Sequence, residues 1–222
     1  MTTEERTNTL DVKQVKDMFL YVGEKVIENK PYLTKVDSAI GDGDHGIGMS
    51  VGFKSAEENL NKKEFTTIND VFKTIGMSMV QSMGGASGVI FGTMFMGGVK
   101  NLDPCDELDT YTVAEIFDKS LEAIKVRGKA SLGDKTLIDA LEPAVEGLKE
   151  SANKSQSLLD ALKTAEKHAE LGVENTKEYV AKFGRAKSLG ERAIGYQDAG
   201  ATSVFIIFKS MREWLEDAPT NE

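Results

Sequence analysis

Val12-Lys13-Gln14-Val15-Lys16-Asp17-Met18-Phe19-Leu20-Tyr21-Val22-Gly23-Glu24-Lys25-Val26-Ile27 places apolar residues at Val12, Val15, Met18, Phe19, Val22, Val26 and Ile27, before a break at Pro31. Steps of three and four stack side chains on one side of an α-helix, so this stretch predicts a helix with one buried face. The spacing recurs over 44–60, 68–82, 87–100, 112–127, 134–151, 157–171, 176–182 and 198–214. Ser157 and Asp198 stand where they can cap exposed backbone N–H groups, and Asp134 puts negative charge near the positive end of a helix. The run 204–208 has the composition of a buried strand, but Lys209, Ser210 and Arg212 continue a helical pattern, so helix is preferred. With no pair of alternating runs around an Asn-Gly-type turn, the expected class is all-α.

The 222 residues suffice for one sizeable core, so the simpler reading is a single domain over 1–222 with its core at about 8–216. A composition of 40% hydrophobic and 28% charged residues with four prolines is that of a folded globular chain. The net charge of −9 argues against nucleic acid, whose phosphates are bound by Lys- and Arg-rich surfaces. The run 204–208 is too short to span a membrane and residues 1–14 are too polar for a signal peptide. A lone Cys105 makes an internal disulfide impossible, and together these features point to the cytoplasm.

Glycine concentrates at 41–52, 84–98, 128–133 and 184–200. In the first stretch, Asp37, Asp42 and Asp44 fall within eight residues of a glycine-rich turn. Such carboxylates repel one another without a cation, and glycine allows the tight fold that would aim all three at one point. Magnesium favours such a site, with a few hard carboxylate ligands and positions left for water and phosphate. The plainer alternative is a solvated acidic loop.

Better-known patterns fail here. Gly41-x-Gly43-x-x-Gly46 follows no β-branched strand and holds two aspartates that would repel a bare pyrophosphate. A calcium loop starting at Asp42 needs glycine where Ile47 stands, and a serine elbow at Ser87 needs glycine where Val89 stands. Gly84-Gly85-Ala86-Ser87-Gly88 instead suits a helix start that receives phosphate oxygens, or equally a close approach of two helices. The third and fourth stretches bring Arg127, Lys129, Lys135, Arg185 and Lys187 to turns and helix starts, where they supply cations or are solvated surface charges. His45 lies where a phosphate would approach or serves as a structural hydrogen-bond donor, and His168 falls in a polar helix, at the surface.

Taken in order, six motifs resemble the L subunit, the nucleotide-binding half, of dihydroxyacetone kinase over most of the chain. They are Asp37 with Gly41-Asp42-Gly43-Asp44-His45-Gly46, Gly84 to Gly88, Arg127-Gly-Lys-Ala, Gly133-Asp-Lys-Thr-x-x-Asp-Ala, Gly184-Arg-Ala-x-x-Leu-Gly-Glu-Arg, and Gln197-Asp-x-Gly-Ala-Thr-Ser. The resemblance implies a barrel of about eight antiparallel amphipathic helices, with ADP or ATP and two magnesium ions at one end. Carried over, Asp37, Asp42 and Asp44 would bind the metals and act catalytically. His45, Gly46, Ile47, Gly48, Ala86 and Ser87 would line the phosphates. Gly128, Leu137, Arg185, Asp198, Ala199 and Gly200 would complete the nucleotide pocket.

The resemblance further implies a K subunit that holds the hydroxyketone, a phosphocarrier M subunit in some systems, and a homodimer or a complex with K. Family members usually carry His-Gln-Asp-Pro-Gly where this chain has Tyr196-Gln197-Asp198-Ala199-Gly200. Alanine loosens that turn relative to proline, so nucleotide is expected to exchange more readily, and the acceptor becomes dihydroxyacetone or a related ketose. Competing readings are a nucleotide-loaded signalling module read by a transcription regulator, a magnesium-dependent hydrolase, and a helical scaffold with an acidic loop.

Overall fold

The computed structural model describes residues 9–217. The start of the expected core at residue 8, and most of the segment read as too polar for a signal peptide, lie outside them.

Asp11 opens α1 (Val12–Glu28) through a reciprocal cap. Its carboxylate accepts from Gln14 N at 2.8 Å, while Gln14 Oε1 accepts from Asp11 N at 3.0 Å. There follow α2 (Lys30–Ile40), α3 (His45–Leu60), α4 (Ile68–Ser82), α5 (Gly85–Val99), α6 (Thr110–Gly128), α7 (Ile138–Asn153), α8 (Leu158–Asn175) and α9 (Ala199–Asp217). Thr67, Asp109 and Ser157 cap α4, α6 and α8 by accepting from the amide three residues on, so each satisfies a donor that the helix itself leaves orphaned.

Contacts run from α3 to α4 and so on through α9, then from α9 to α1 and from α1 back to α3, which closes a ring of eight helices. From α3 through α8, short connections between packed neighbours make them antiparallel. The interior is filled by phenylalanines from six of the eight: Phe19, Phe53, Phe72, Phe95, Phe117 and Phe208. Edge-on pairs such as Phe19–Phe72 at 4.9 Å between centroids, and the tilted pair Phe117–Phe208 at 5.0 Å, stitch opposite walls together. Helix α2 lies outside the ring against α3 and α9 and carries the first aspartate of the acidic loop.

Four local readings need correction. Pro31 does not end helical structure but sits in the first turn of α2, where its missing N–H is no loss. Residues 176–182 form one 3-10 turn, Thr176–Glu178, and then leave helical geometry. Helix α7 starts at Ile138, and Asp134 is held in the preceding loop by Lys182 at 2.6 Å rather than standing at a helix start. His168 is half-buried, its Nδ1 3.0 Å from the Pro143 carbonyl oxygen. A two-stranded antiparallel ladder, β1 (Thr9–Asp11) with β2 (Glu107–Asp109), pairs Leu10 with Leu108, both fully buried.

Candidate functional site

The acidic loop spans the gap between α2 and α3. Asp37 occupies the last turn of α2, Gly43 makes the turn at φ 76°, and the Asp37 carboxylate accepts from His45 N at 3.2 Å, folding the loop back on itself. One carboxylate oxygen from each of Asp37, Asp42 and Asp44 lies within 4.8 Å of the others. Burial and the neighbouring Asp42 and Asp37 push the Asp44 carboxyl above the usual carboxylate range. Desolvation pushes Asp42 up as well, but its hydrogen bond with Asp44 and the adjacent Arg185 guanidinium outweigh it and hold Asp42 below that range. Arg185 Nε stands 2.8 Å from Asp42 Oδ2. Three convergent carboxylates, two of them exposed, form a hard oxygen donor set that fits a divalent cation such as magnesium.

His45 opens α3 with its backbone at this loop, yet its ring turns away. The imidazole is buried against Phe91, centroids 5.8 Å apart, with Nε2 2.8 Å from Ser203 Oγ. Burial drives its pKa down to about 4 against the pull of Asp37, so the ring is neutral and belongs to the core. Gly46 and Ile47 follow in the first turn of α3, where backbone N–H groups are left over by helix geometry, whereas Gly48 N already donates to the Asp44 carbonyl at 2.9 Å.

An apolar cleft of about 440 Å³ opens beside α5 and α6. Ala86, Val89 and Ile90 form one wall, Ile124, Arg127 and Gly128 another, and Ala130, Thr136, Leu137, Ile138, Phe183 and Gly184 complete it. A smaller cavity of about 360 Å³ is lined by Ala39 to Asp42 with Arg185, Ser188 and Leu189. Gly184 and Arg185 are consecutive, with the backbone at φ 67° at Gly184, so one short segment walls both spaces. Ser87 is exposed next to Ala86, at the start of α5.

Asp198, Ala199 and Gly200 lie behind the cleft rather than in its lining. A Cβ on Gly200 would stand 3.4 Å from Leu137 Cβ, so this turn backs the wall that Leu137 forms. The Asp198 carboxylate accepts from Ala201 N at 2.7 Å and caps α9, as the sequence suggested. Burial pushes this carboxyl up to about 7, with the Ala201 amide opposing and Asp139 reinforcing the rise.

Lys135, read as a cation for the acidic site, is instead fully buried, its ammonium donating to the Thr176 and Tyr196 carbonyls. Asp139 accepts from Gly133 N at 2.5 Å and Thr136 N at 2.7 Å. The Gly133 motif therefore builds the loop that holds Thr136 and Leu137 at the cleft. Its signal was present in the sequence, but the direction of the lysine was not. The apolar residues of α5 and α6 at the cleft were hidden because helix spacing marks them simply as core, while Phe183 and Ser188 fall in a connecting segment where no periodicity tells which way a side chain points.

A family model described as DAK2 domain matches residues 39–213. The chain belongs to the DAK2 domain family. It is 41% identical over 189 residues to the ADP-binding subunit DhaL of PEP-dependent dihydroxyacetone kinase 1 from Listeria innocua, covering 85% of this chain and 89% of that subunit. The corresponding ADP-binding subunit DhaL from Escherichia coli is 36% identical over 91% of this chain and 97% of its own length. Among solved structures, the dihydroxyacetone kinase of C. freundii in complex with AMP-PNP and Mg2+ superposes with a TM-score of 0.71 at 26% identity, over 90% of this chain. The DAK2 chain spans 33% of that kinase chain's length. Within the DAK2 fold the acidic loop and the apolar cleft are complementary, one suited to a hard cation with its anion and the other to a flat apolar group. Among the described residues, no helix is long and apolar enough to cross a membrane.

Proposed function

We propose that this chain is the ADP- and magnesium-binding subunit of a dihydroxyacetone-type kinase, a single domain over 1–222 working in the cytoplasm. It would pass a phosphoryl group from bound ATP to a hydroxyketone presented by a K subunit. The observation that carries the proposal is the convergence of Asp37, Asp42 and Asp44 next to a segment, 184–185, that also walls an apolar cleft.

Asp37, Asp42 and Asp44 would hold the magnesium, two ions by the family resemblance. When bound, magnesium neutralises phosphate charge as the phosphoryl group transfers. The chain's own groups position the donor. The first-turn amides at Gly46 and Ile47, with Ala86 and Ser87, face the phosphates as hydrogen-bond donors, Gly48 lines them with no side chain in the way, and His45 contributes its backbone and its place in the core. Gly128 and Leu137 hold the base in the apolar cleft, and Asp198, Ala199 and Gly200 support that wall from behind. The Arg185 guanidinium neutralises phosphate oxygens, for which its planar fork of donors is well shaped.

The chain alone carries no hydroxyketone site in this scheme and needs its partner, as a complex with K beside or in place of a homodimer. A phosphocarrier M subunit regenerating bound ATP fits the DhaL relatives. Ala199, in place of the usual proline, favours the alternative in which ATP exchanges freely and the acceptor is another small ketose.

The test is nucleotide by mass spectrometry and magnesium by elemental analysis in the purified chain and in Asp42→Asn. Bound or bindable Mg-ADP that is lost in the variant supports the assignment. A chain that binds neither added Mg-ADP nor Mg-ATP sinks it. Retention of ADP through extensive dialysis would decide for the phosphocarrier scheme over free exchange.

A further inference from the structure

Arg185 makes a contact that the transfer reaction does not explain. Its Nε lies 2.8 Å from Oδ2 of Asp42, so a guanidinium occupies a lone pair of one of the three clustered carboxylates. The pair is well exposed, with 79% of the arginine side chain and 40% of the aspartate accessible, so it is weak enough to break and re-form readily. Arg185 also borders the cavity that runs along Ala39, Ile40 and Gly41, and Gly184 borders the apolar cleft.

We infer that Arg185 is a positioning residue that stands in for the metal at Asp42 and thereby couples metal binding to nucleotide binding. The inference rests on the magnesium and nucleotide reading above. A divalent cation arriving alone must displace the guanidinium from Asp42, and it leaves that guanidinium without a partner. When a nucleoside diphosphate is present, its phosphate oxygens accept the same guanidinium, and the cation takes Asp42 without that loss. The free energy of the Arg185–Asp42 pair therefore opposes metal binding in the empty chain and not in the nucleotide-loaded chain. By linkage it strengthens each ligand's effect on the other by the same factor. The exposure of the ion pair limits that factor to about two- to fivefold.

Arg185→Gln keeps a planar hydrogen-bonding group of similar reach without the charge, and the exposure of Arg185 makes misfolding a minor concern. Lys187→Gln, two residues along the same exposed segment, removes one positive charge without touching the pair. The measurement is the Kd of Mn2+, followed by its paramagnetic resonance signal, in the wild type and both variants, with and without saturating ADP. In Arg185→Gln the affinity for Mn2+ alone should rise two- to fivefold, and the enhancement by ADP should shrink by the same factor. Lys187→Gln should leave both near wild type. Unchanged or weaker binding of the metal alone by Arg185→Gln would overturn the inference, and so would an equal rise in Lys187→Gln, which would reduce the effect to general charge. A wild type that binds Mn2+ but shows no ADP binding at all would instead overturn the nucleotide reading beneath it.

Discussion

Asp198 shows how little a residue's role follows from its letter. In sequence it is one acidic group in a Gln-Asp-x-Gly motif, a candidate for the nucleotide pocket. In the fold its carboxylate accepts from Ala201 N at the start of α9, close to the buried Asp139, and burial pushes its pKa up to about 7. A carboxyl whose folded pKa lies above its unfolded value near 3.8 favours the native state in its protonated form. That stability is fully present below about pH 4 and is lost as the pH rises through 7. Denaturant melts of the wild type should therefore weaken from pH 4.5 to 7.5 more steeply than those of Asp198→Asn, whose amide oxygen still caps the helix but does not titrate. Parallel profiles for the two proteins would show that Asp198 is ionised throughout. The three loop aspartates were legible because glycine spacing constrains where a short loop can point. His45 and Lys135 were not, because whether a side chain beside a turn faces water or the core depends on helices far away in sequence, here α5 and α9 for His45 and the end of α8 for Lys135.

At the scale of elements, spacing identified the eight ring helices and missed α2, whose Pro31 reads as a breaker although it stands where a helix tolerates it best. It also extended helix over 176–182, where the Thr176 carbonyl accepts from both Tyr179 N and Lys135 and the chain then turns so that Lys182 N donates to the Asp134 carbonyl. What spacing cannot reveal is how closely two helices approach. Pro143 has no N–H, so the carbonyl of Asp139 one turn earlier lacks its helical donor, and α8 brings Gly172 directly against it. A Cβ at Gly172 would lie 2.1 Å from that oxygen and 2.7 Å from Ala140 Cα, both backbone atoms that cannot step aside. Alanine is the better helix former by ~1 kcal/mol, but overpacking against backbone atoms costs about 1–3 kcal/mol, which outweighs that gain where neither helix can yield. Gly172→Ala should therefore be less stable than wild type. Because the Asp139 side chain holds the amides of Gly133 and Thr136 at the cleft, ADP affinity should fall several-fold with it. A variant of raised stability and unchanged affinity would mean that α7 and α8 are less tightly apposed than this contact requires.

For the whole molecule, the ring of helices and its aromatic interior supply a rigid frame, while the acidic loop, the loop before α7 and the segment 183–189 bring the candidate ligand groups to its surface. The net charge of −9 adds long-range repulsion to the local repulsion among Asp37, Asp42 and Asp44, so binding an anionic nucleotide without metal works against the charge of the entire chain. Magnesium would offset most of that charge at the loop, so the two ligands together should stabilise the fold far more than either alone. At a free concentration of 100 times its Kd, Mg-ADP adds about 2.7 kcal/mol to unfolding. For a chain of this size each kcal/mol moves the melting temperature by about 2–4 °C, which gives a rise of roughly 5–10 °C. Scanning calorimetry should find that rise with Mg-ADP, much smaller shifts with ADP plus a chelator or with magnesium by itself, and none with Mg-ADP for Asp42→Asn. Equal shifts for ADP with and without chelator would place the nucleotide in the apolar cleft but remove the three aspartates from its binding, and the acidic loop would then need another explanation.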